Sequence, residues 1–142
     1  VPIVLACMNM SKRKVGALIV IERSIPLDDV SDTGDRIDAN INQRLIENIF
    51  FKNSPLHDGA MIISKHRIKS AGCILPVSHS LDIPKELGLR HRAAMGMSQD
   101  SDAVVIVVSE ETGGITVAIK GQFQLRLSAE KLESELTEEL KK

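Results

Sequence analysis

Ser54 to Ile63 reads SPLHDGAMII: a polar trio, His57, Asp58 and Gly59, stands at the mouth of an apolar run, Ala60 to Ile63. An apolar run of this length, bounded by Pro and Gly, predicts a buried strand. Pro55 holds Ser54 extended and stops any helix that precedes it. A carboxylate and an imidazole are thus placed where a loop meets a sheet, beside a glycine with no side chain to block a ligand. Neighbours on a regular strand point to opposite faces, so His57 and Asp58 converge only if both lie in the loop. Asp-Gly is also ordinary turn chemistry, and a turn Asp beside a surface His is the plain alternative. Two further polar knots, Arg90-His91-Arg92 and Ser109-Glu110-Glu111, weigh against it, because each also sits at the edge of an apolar segment.

Working outward, Val15 to Glu22 (VGALIVIE) is a β-branched run that predicts a central strand, with Gly16 near its start where another backbone or a ligand can approach. Val1 to Met10 suits a helix ending in the cations of Ser11-Lys12-Arg13-Lys14, which complement the negative end of its dipole. A polar loop is expected over Arg23 to Arg36. Asp38 then caps a helix reaching about Phe51, with Ile41, Leu45, Ile46, Ile49 and Phe50 as one apolar stripe. After the strand at Ala60 to Ser64, Lys65-His66 forms a turn and Arg67 to Leu75 an antiparallel partner. Pro76 to Gly88 is read as a loop with a short helical piece, in which His79 has no role. Arg90 to Gln99 is a helix laying Ala93, Ala94 and Met97 on the sheet. Ala103 to Val108 (AVVIVV) is a buried strand, Glu111 to Gly114 a turn, Ile115 to Ile119 its return and Gln122 to Leu127 an edge strand. Ser128 caps a last helix carrying Leu132, Leu136 and Leu140. Strands and helices mix along the whole length, which predicts a single α/β domain over residues 1–142 with a central mixed β-sheet flanked by helices.

With 142 residues the chain can bury about two-thirds of its unfolded surface as one domain. Aromatic residues make up only 2%, with no Trp or Tyr, so the core is aliphatic and there is no stacking platform for single-stranded nucleic acid. Eighteen basic against 19 acidic residues leave a net charge of -1 and no basic footprint, so no nucleic-acid partner is expected. Cys7 and Cys73 lack paired spacing, which argues against a disulfide framework or a thiolate zinc site and fits a reducing compartment. No run approaches the roughly 18–20 apolar residues of a membrane span. The start at Val1 suggests a piece of a longer protein.

Arg90, His91 and Arg92 open a helix, where backbone N–H groups and the dipole already favour an anion. Cations there are unfavourable by roughly 0.3–1 kcal/mol each unless something negative sits among them. A phosphate chain resolves the conflict and suits the planar guanidinium fork; an acid from elsewhere in the chain is the alternative. Ser109, Glu110 and Glu111 end the AVVIVV strand, at a place where open α/β sheets put ligands. One of these glutamates suits a metal or a ribose hydroxyl, while a polar hairpin turn explains Glu111 equally well. The three knots together supply what metal-assisted nucleotidyl or phosphoryl transfer requires. Neither GxxxxGK[ST] nor GxGxxG occurs.

At these residues the sequence resembles the diadenylate cyclase (DisA-type) family, whose members condense two ATP into cyclic di-AMP. The matching blocks are GALIVIER at Gly16 to Arg23, PLHDGA at Pro55 to Ala60, RHRAA at Arg90 to Ala94 and VVSEETG at Val107 to Gly113, in the family's order. FFKNSPLHDGAMII is most similar to the membrane-anchored subgroup. The resemblance implies that Asp58 assists the ribose 3′-hydroxyl in attacking the α-phosphate of a partner's ATP, with Gly59 and Ala60 shaping the nucleotide site. It implies that Arg90, His91 and Arg92 hold the phosphates and help pyrophosphate leave. Ser109, Glu110 and Glu111 contribute to the ATP and metal site, and Leu18 and Leu75 line the adenine pocket. His57, Asp58 and Glu110 are the candidate ligands of magnesium or manganese. Leu89 stands where the family usually has Thr, which removes one possible polar contact to the nucleotide. The expected assembly is a homodimer of two face-to-face domains, each with one ATP. The expected location is the cytoplasmic side of a membrane-anchored parent, the membrane being reached only through segments absent from this chain.

Two other functions fit parts of the pattern. A non-catalytic ATP or cyclic-dinucleotide sensor would keep the fold but make nothing. A metal-dependent phosphohydrolase built on His57 and Asp58 would release phosphate without any need for pairing.

Overall fold

In the computed structural model, which describes residues 2–75 and 88–140, the run Ala17–Ile21 forms strand β1 and is buried at every position. Helix α1 (Pro2–Arg13) precedes it. After it come α2 (Asp28–Ser31), β2 (Asp35–Asn40), α3 (Gln43–Phe50), β3 (Ala60–Ser64) and β4 (Arg67–Cys73). Beyond residue 87 follow α4 (Leu89–Asp100), β5 (Val104–Val108), β6 (Ile115–Ile119), β7 (Gln122–Gln124) and α5 (Ala129–Leu140). The expected loop from Pro76, with His79 in it, lies outside the described residues except for Gly88.

The strands make one sheet in the order β2-β4-β3-β1-β5-β6-β7. Only β1 and β3 pair in parallel among the described strands; every other neighbour is antiparallel, so the sheet is mixed as the sequence predicts. Strand periodicity divides the core. Ala17, Ile19 and Ile21 face a layer containing Val4, Met10, Ile46, Phe50 and Leu132, from α1, α3 and α5. Leu18 and Val20 face Ala93, Ala94 and Met97 of α4. Both faces of the central strands are covered, which is why those strands read as unbroken apolar runs.

Two expectations between residues 23 and 42 do not hold. The stretch Arg23 to Arg36 is not all loop: it contains the single turn α2 and the start of β2. Asp38 does not cap a helix. It lies within β2 with φ +51°, where the pairing with β4 shifts register, and its carboxylate accepts from Arg67 Nε at 2.8 Å. The helix begins at Gln43, capped by Asn42, whose side chain accepts from Leu45 N at 3.1 Å. A bulge with a left-handed Asp carries no period-2 signal, so β2 is invisible to pattern. Of the apolar stripe, Ile46, Ile49 and Phe50 are buried, while Ile41 and Leu45 pack at the margin of the same layer. The strand from Arg67 ends at Cys73 rather than Leu75, and the edge strand β7 is three residues long.

Candidate active site

The sheet topology collects the polar knots at one edge. In the antiparallel pair of β1 and β5, Ala17 stands opposite Val108, so Gly16 and Ser109 are neighbours. The parallel register of β1 with β3 sets Ile19 against Met61, which brings Asp58 and Gly59 to that same edge. Helix α4 crosses the face above and starts there with Leu89 and Arg90.

Between these elements lies a cleft of about 820 Å³, lined by Asp58, Leu89, Arg90, His91, Ser109, Glu110 and Glu111 among others. The acid beside Gly59 and the first cation of α4 therefore share one cavity. A smaller cleft of about 420 Å³ opens at the other ends of β1 and β3. Its Arg67 and Lys69 are already paired with Asp38 and Asp28, which holds both carboxyls below their usual range.

The loop ahead of β3 is built by consecutive turns: Ser54 N donates to Phe51 O at 2.8 Å, and His57 N donates to Ser54 O at 3.3 Å. Both residues of the pair lie in this loop, as convergence requires. His57 Nδ1 is 2.8 Å from Ser54 O and Nε2 is 3.0 Å from Asp58 Oδ1. A carbonyl oxygen only accepts, so Nδ1 carries hydrogen. Nε2 faces a carboxylate oxygen of the neighbouring Asp58. Asp58 itself is 84% exposed at its side chain and open to the cleft.

Gly59 has a different role from the one its neighbours suggest. A Cβ there would lie 2.4 Å from the Gly72 carbonyl carbon and 2.8 Å from Cys73 N. The missing side chain makes room for β4. Ala60, which follows, is fully buried in the α4-side core.

Helix α4 opens with Gly88 at its cap and no side-chain capping bond. Arg90 lies across Gly16 and sets Nη1 3.3 Å from Glu110 Oε1, so an acid from another knot answers part of the charge conflict. Its buried Nε finds no acceptor among the described residues. His91 is 6% exposed and meets Phe123 edge-on at 6.1 Å. Burial, then the charge of Arg90, pushes its pKa below the ordinary value, so it offers the cleft a neutral imidazole. Arg92 is half-buried and is not among the residues lining this cleft. Leu18 and Leu75 are buried in the α4-side core, and neither lines the cleft.

The loop after β5 is closed by Gly113 N donating to Ser109 O at 2.9 Å and by Ser109 N donating to Gly114 O at 3.0 Å. Ser109 Oγ accepts from Glu111 N and Thr112 N, both at 3.2 Å, so the serine shapes the turn that presents the two glutamates. Helix α1 supports this loop from below, Ser11 Oγ donating to Gly113 O at 2.5 Å. Thr112, Thr116, Leu125 and Arg126 also line the cleft and were not singled out by sequence. Thr116 faces the α4 side with its neighbours alternating away, a period-2 cue that was available. Arg126 has φ +55° in an irregular segment and gives no such cue.

Among the described residues no cluster of three or more His, Cys, Asp or Glu surrounds a metal position. Magnesium and manganese commonly use one or two protein ligands and complete their shell with water and phosphate oxygens. The exposed Asp58, with the half-buried His57 beside it but not lining the cleft, fits that demand; Glu110 is engaged by Arg90. No helix among the described residues is long and apolar enough to cross a membrane.

Comparison with known proteins agrees with this geometry. Residues 4–123 match the family described as DisA bacterial checkpoint controller nucleotide-binding. Cyclic di-AMP synthase CdaA of Bacillus subtilis is 47% identical over 133 residues, which is 94% of this chain and 49% of that protein. A diadenylate cyclase of Listeria monocytogenes is 48% identical over 92% of this chain and 48% of its own length. The chain thus spans about half the length of these curated relatives. A crystal structure of a double mutant of DacA from Staphylococcus aureus superposes with a TM-score of 0.96 at 46% identity, covering 98% of this chain and 93% of that one. A hypothetical membrane spanning protein from Bacillus cereus gives 0.85 at 44% identity, over 89% and 62% of the two chains. With its four sequence blocks gathered at one sheet edge and the family match running over most of its length, the chain belongs to the DisA-type (DAC) nucleotide-binding family.

Proposed function

We propose that this domain is the catalytic unit of a diadenylate cyclase, condensing two ATP into cyclic di-AMP and two pyrophosphates. The observation that carries the reading is the placement of Asp58, Arg90 and the Ser109–Glu111 loop around a single cleft of about 820 Å³. The loop carboxylate is the group that accepts the 3′-hydroxyl proton, being exposed and unencumbered except by His57. Arg90 and Arg126 meet the triphosphate, and the neutral His91 offers it a hydrogen bond at the helix start. Leu89 and Leu125, 75% and 45% exposed, give the base an apolar rim at the cleft.

Charge supports a metal. Asp58, Glu110 and Glu111 outnumber Arg90 and Arg126 along the cleft, and a triphosphate adds further negative charge. Magnesium or manganese, held by Asp58 and His57, would neutralise the phosphates and stabilise the charge that develops on the leaving pyrophosphate.

One domain holding one ATP presents its 3′-hydroxyl to nothing reactive, because attack must come in line, opposite the departing pyrophosphate. A homodimer with its two clefts face to face supplies the second reactant. Use of ATP supports a cytoplasmic side for the domain, and the membrane spanning relative is in keeping with an anchored parent. Incubation with ATP and either metal, followed by chromatography for cyclic di-AMP, tests the reading. Linear nucleotides or free phosphate as the products would favour a hydrolase; bound ATP with no product would favour a sensor.

A further inference from the structure

We infer that Gly16 is a positioning residue for catalysis: its bare backbone is the bed on which the Arg90 guanidinium rests, and this contact fixes where Arg90 meets the phosphates. The inference deepens the cyclase reading above and rests on it.

Gly16 immediately precedes β1, at the floor of the cleft edge. A Cβ built on it would lie 2.6 Å from Arg90 Cζ, 2.6 Å from Nη1 and 2.9 Å from Nη2. Three guanidinium atoms within that radius mean that the flat group lies on the glycine, where any other residue would place a methylene. Gly16 has no positive φ to explain it, so backbone conformation is not the reason for the glycine here.

Hydrogen bonds alone leave this guanidinium loosely determined. Among the described residues its buried Nε has no acceptor, and its one ion-pair contact, Nη1 to Glu110, is 3.3 Å. Packing on Gly16 therefore does what a bidentate clamp does elsewhere: it removes the freedom to sink toward the sheet. With Glu110 holding one edge, the remaining N–H groups are aimed into the cleft.

An alanine at this position meets the far end of a flexible side chain rather than backbone, so the fold can adapt. The guanidinium must retreat by about 1 Å to regain van der Waals separation. A displacement of that size in a group that aligns a reacting phosphate costs on the order of 10²-fold in rate.

The test is a double-mutant cycle with Gly16→Ala and Arg90→Ala, measured in the full chain with ATP and manganese. Gly16→Ala should lower kcat on the order of 10²-fold and weaken ATP binding far less, with an unchanged thermal midpoint. In the Arg90→Ala background the same substitution should do nothing further, since the group it displaces is gone. An equal effect in both backgrounds, or wild-type kcat for Gly16→Ala, would overturn the inference. Nitrogen-15 NMR of the Arg90 side chain reads the same contact without turnover. The buried Nε–H should be protected from solvent exchange in the wild type and lose that protection in Gly16→Ala; an unchanged signal would again count against it. If the wild type makes no cyclic product, the cyclase reading fails by itself, while the NMR comparison and the cycle repeated on ATP affinity still decide the role of Gly16.

Discussion

Replacing Asp58 by Asn isolates chemistry from binding. The side chain is 84% exposed, and its one close partner among the described residues is His57 Nε2 at 3.0 Å. An amide fills the same volume, so the fold should lose no more than about 0.5 kcal/mol, as is usual for surface substitutions. Arg90, Arg126 and the Ser109 loop are untouched. Removing one of three lining carboxylates also lessens repulsion of a triphosphate, so ATP affinity without metal should hold or improve slightly. What disappears is the proton acceptor for the 3′-hydroxyl, and general-base catalysis contributes about 10²- to 10⁴-fold. Initial rates of cyclic product, set beside calorimetric ATP binding with and without manganese, give both quantities. A rate within tenfold of the wild type would remove Asp58 from the chemistry. Parallel loss of metal-free ATP binding and rate would make it a binding residue instead.

Gly59→Ala should act on stability: the added Cβ meets the Gly72 and Cys73 backbone, which cannot swing aside, so chemical denaturation should show a loss of about 1–3 kcal/mol. His91 is held neutral by burial, its pKa lowered from the ordinary 6.5. The unfolded chain therefore binds this proton more readily. Stability should be full above 6.5 and should fall as pH drops from there toward the lowered folded value, with a shallower fall in His91→Asn when melting is followed against pH. Arg126→Gly should raise KM for ATP about tenfold, the effect of one lost phosphate contact, without lowering the thermal midpoint, since φ +55° suits glycine; an unaltered KM would take Arg126 out of the site. The rate per chain should rise with protein concentration if two clefts must meet, and a flat rate down to a demonstrated monomer would contradict pairing.

Most of the architecture was legible because the central strands are covered on both faces and so spell continuous aliphatic runs. Ala17–Ile21, Ala60–Ser64 and Val104–Val108 appear almost residue for residue. The edge was not legible. β2, with the sequence DRIDAN, has a solvated face and a bulge at Asp38, and its polar residues look like loop and helix cap. The candidate site was legible as three knots, each a polar cluster abutting an apolar run, and all three reach the same cleft. Individual side chains within a knot were not resolved by sequence. Arg90 and Arg92 are two residues apart on a helix, about 200° around its axis, so one lines the cleft and the other does not. Gly59 looked like access for a ligand, because the strand passing behind it, through Gly72, is distant in sequence.

The position of the cleft follows from one reversal of direction. In sheets that are parallel throughout, ligands collect at the carboxyl ends of the strands. Here β1 and β3 run together, yet their carboxyl ends open on the smaller cleft, where Arg67 and Lys69 are paired with Asp38 and Asp28. β5 lies beside β1 in the opposite sense, so its carboxyl end falls at the amino end of the parallel pair. That juxtaposition puts the Ser109–Gly114 turn next to Gly16 and the His57-Asp58 loop. Helix α4, delivered to the face above, starts at the same edge and sends Arg90 down onto Gly16 and across to Glu110. Helix α1 comes from the other face to prop Gly113 through Ser11, and a Cβ on that glycine would strike Ser11 O at 2.5 Å. The Ser109–Gly114 loop, which carries two of the three acids, is thereby tied to helices on opposite faces of the sheet. A cleft braced in this way can hold a flexible triphosphate in one pose while remaining open on the side from which a second copy must approach.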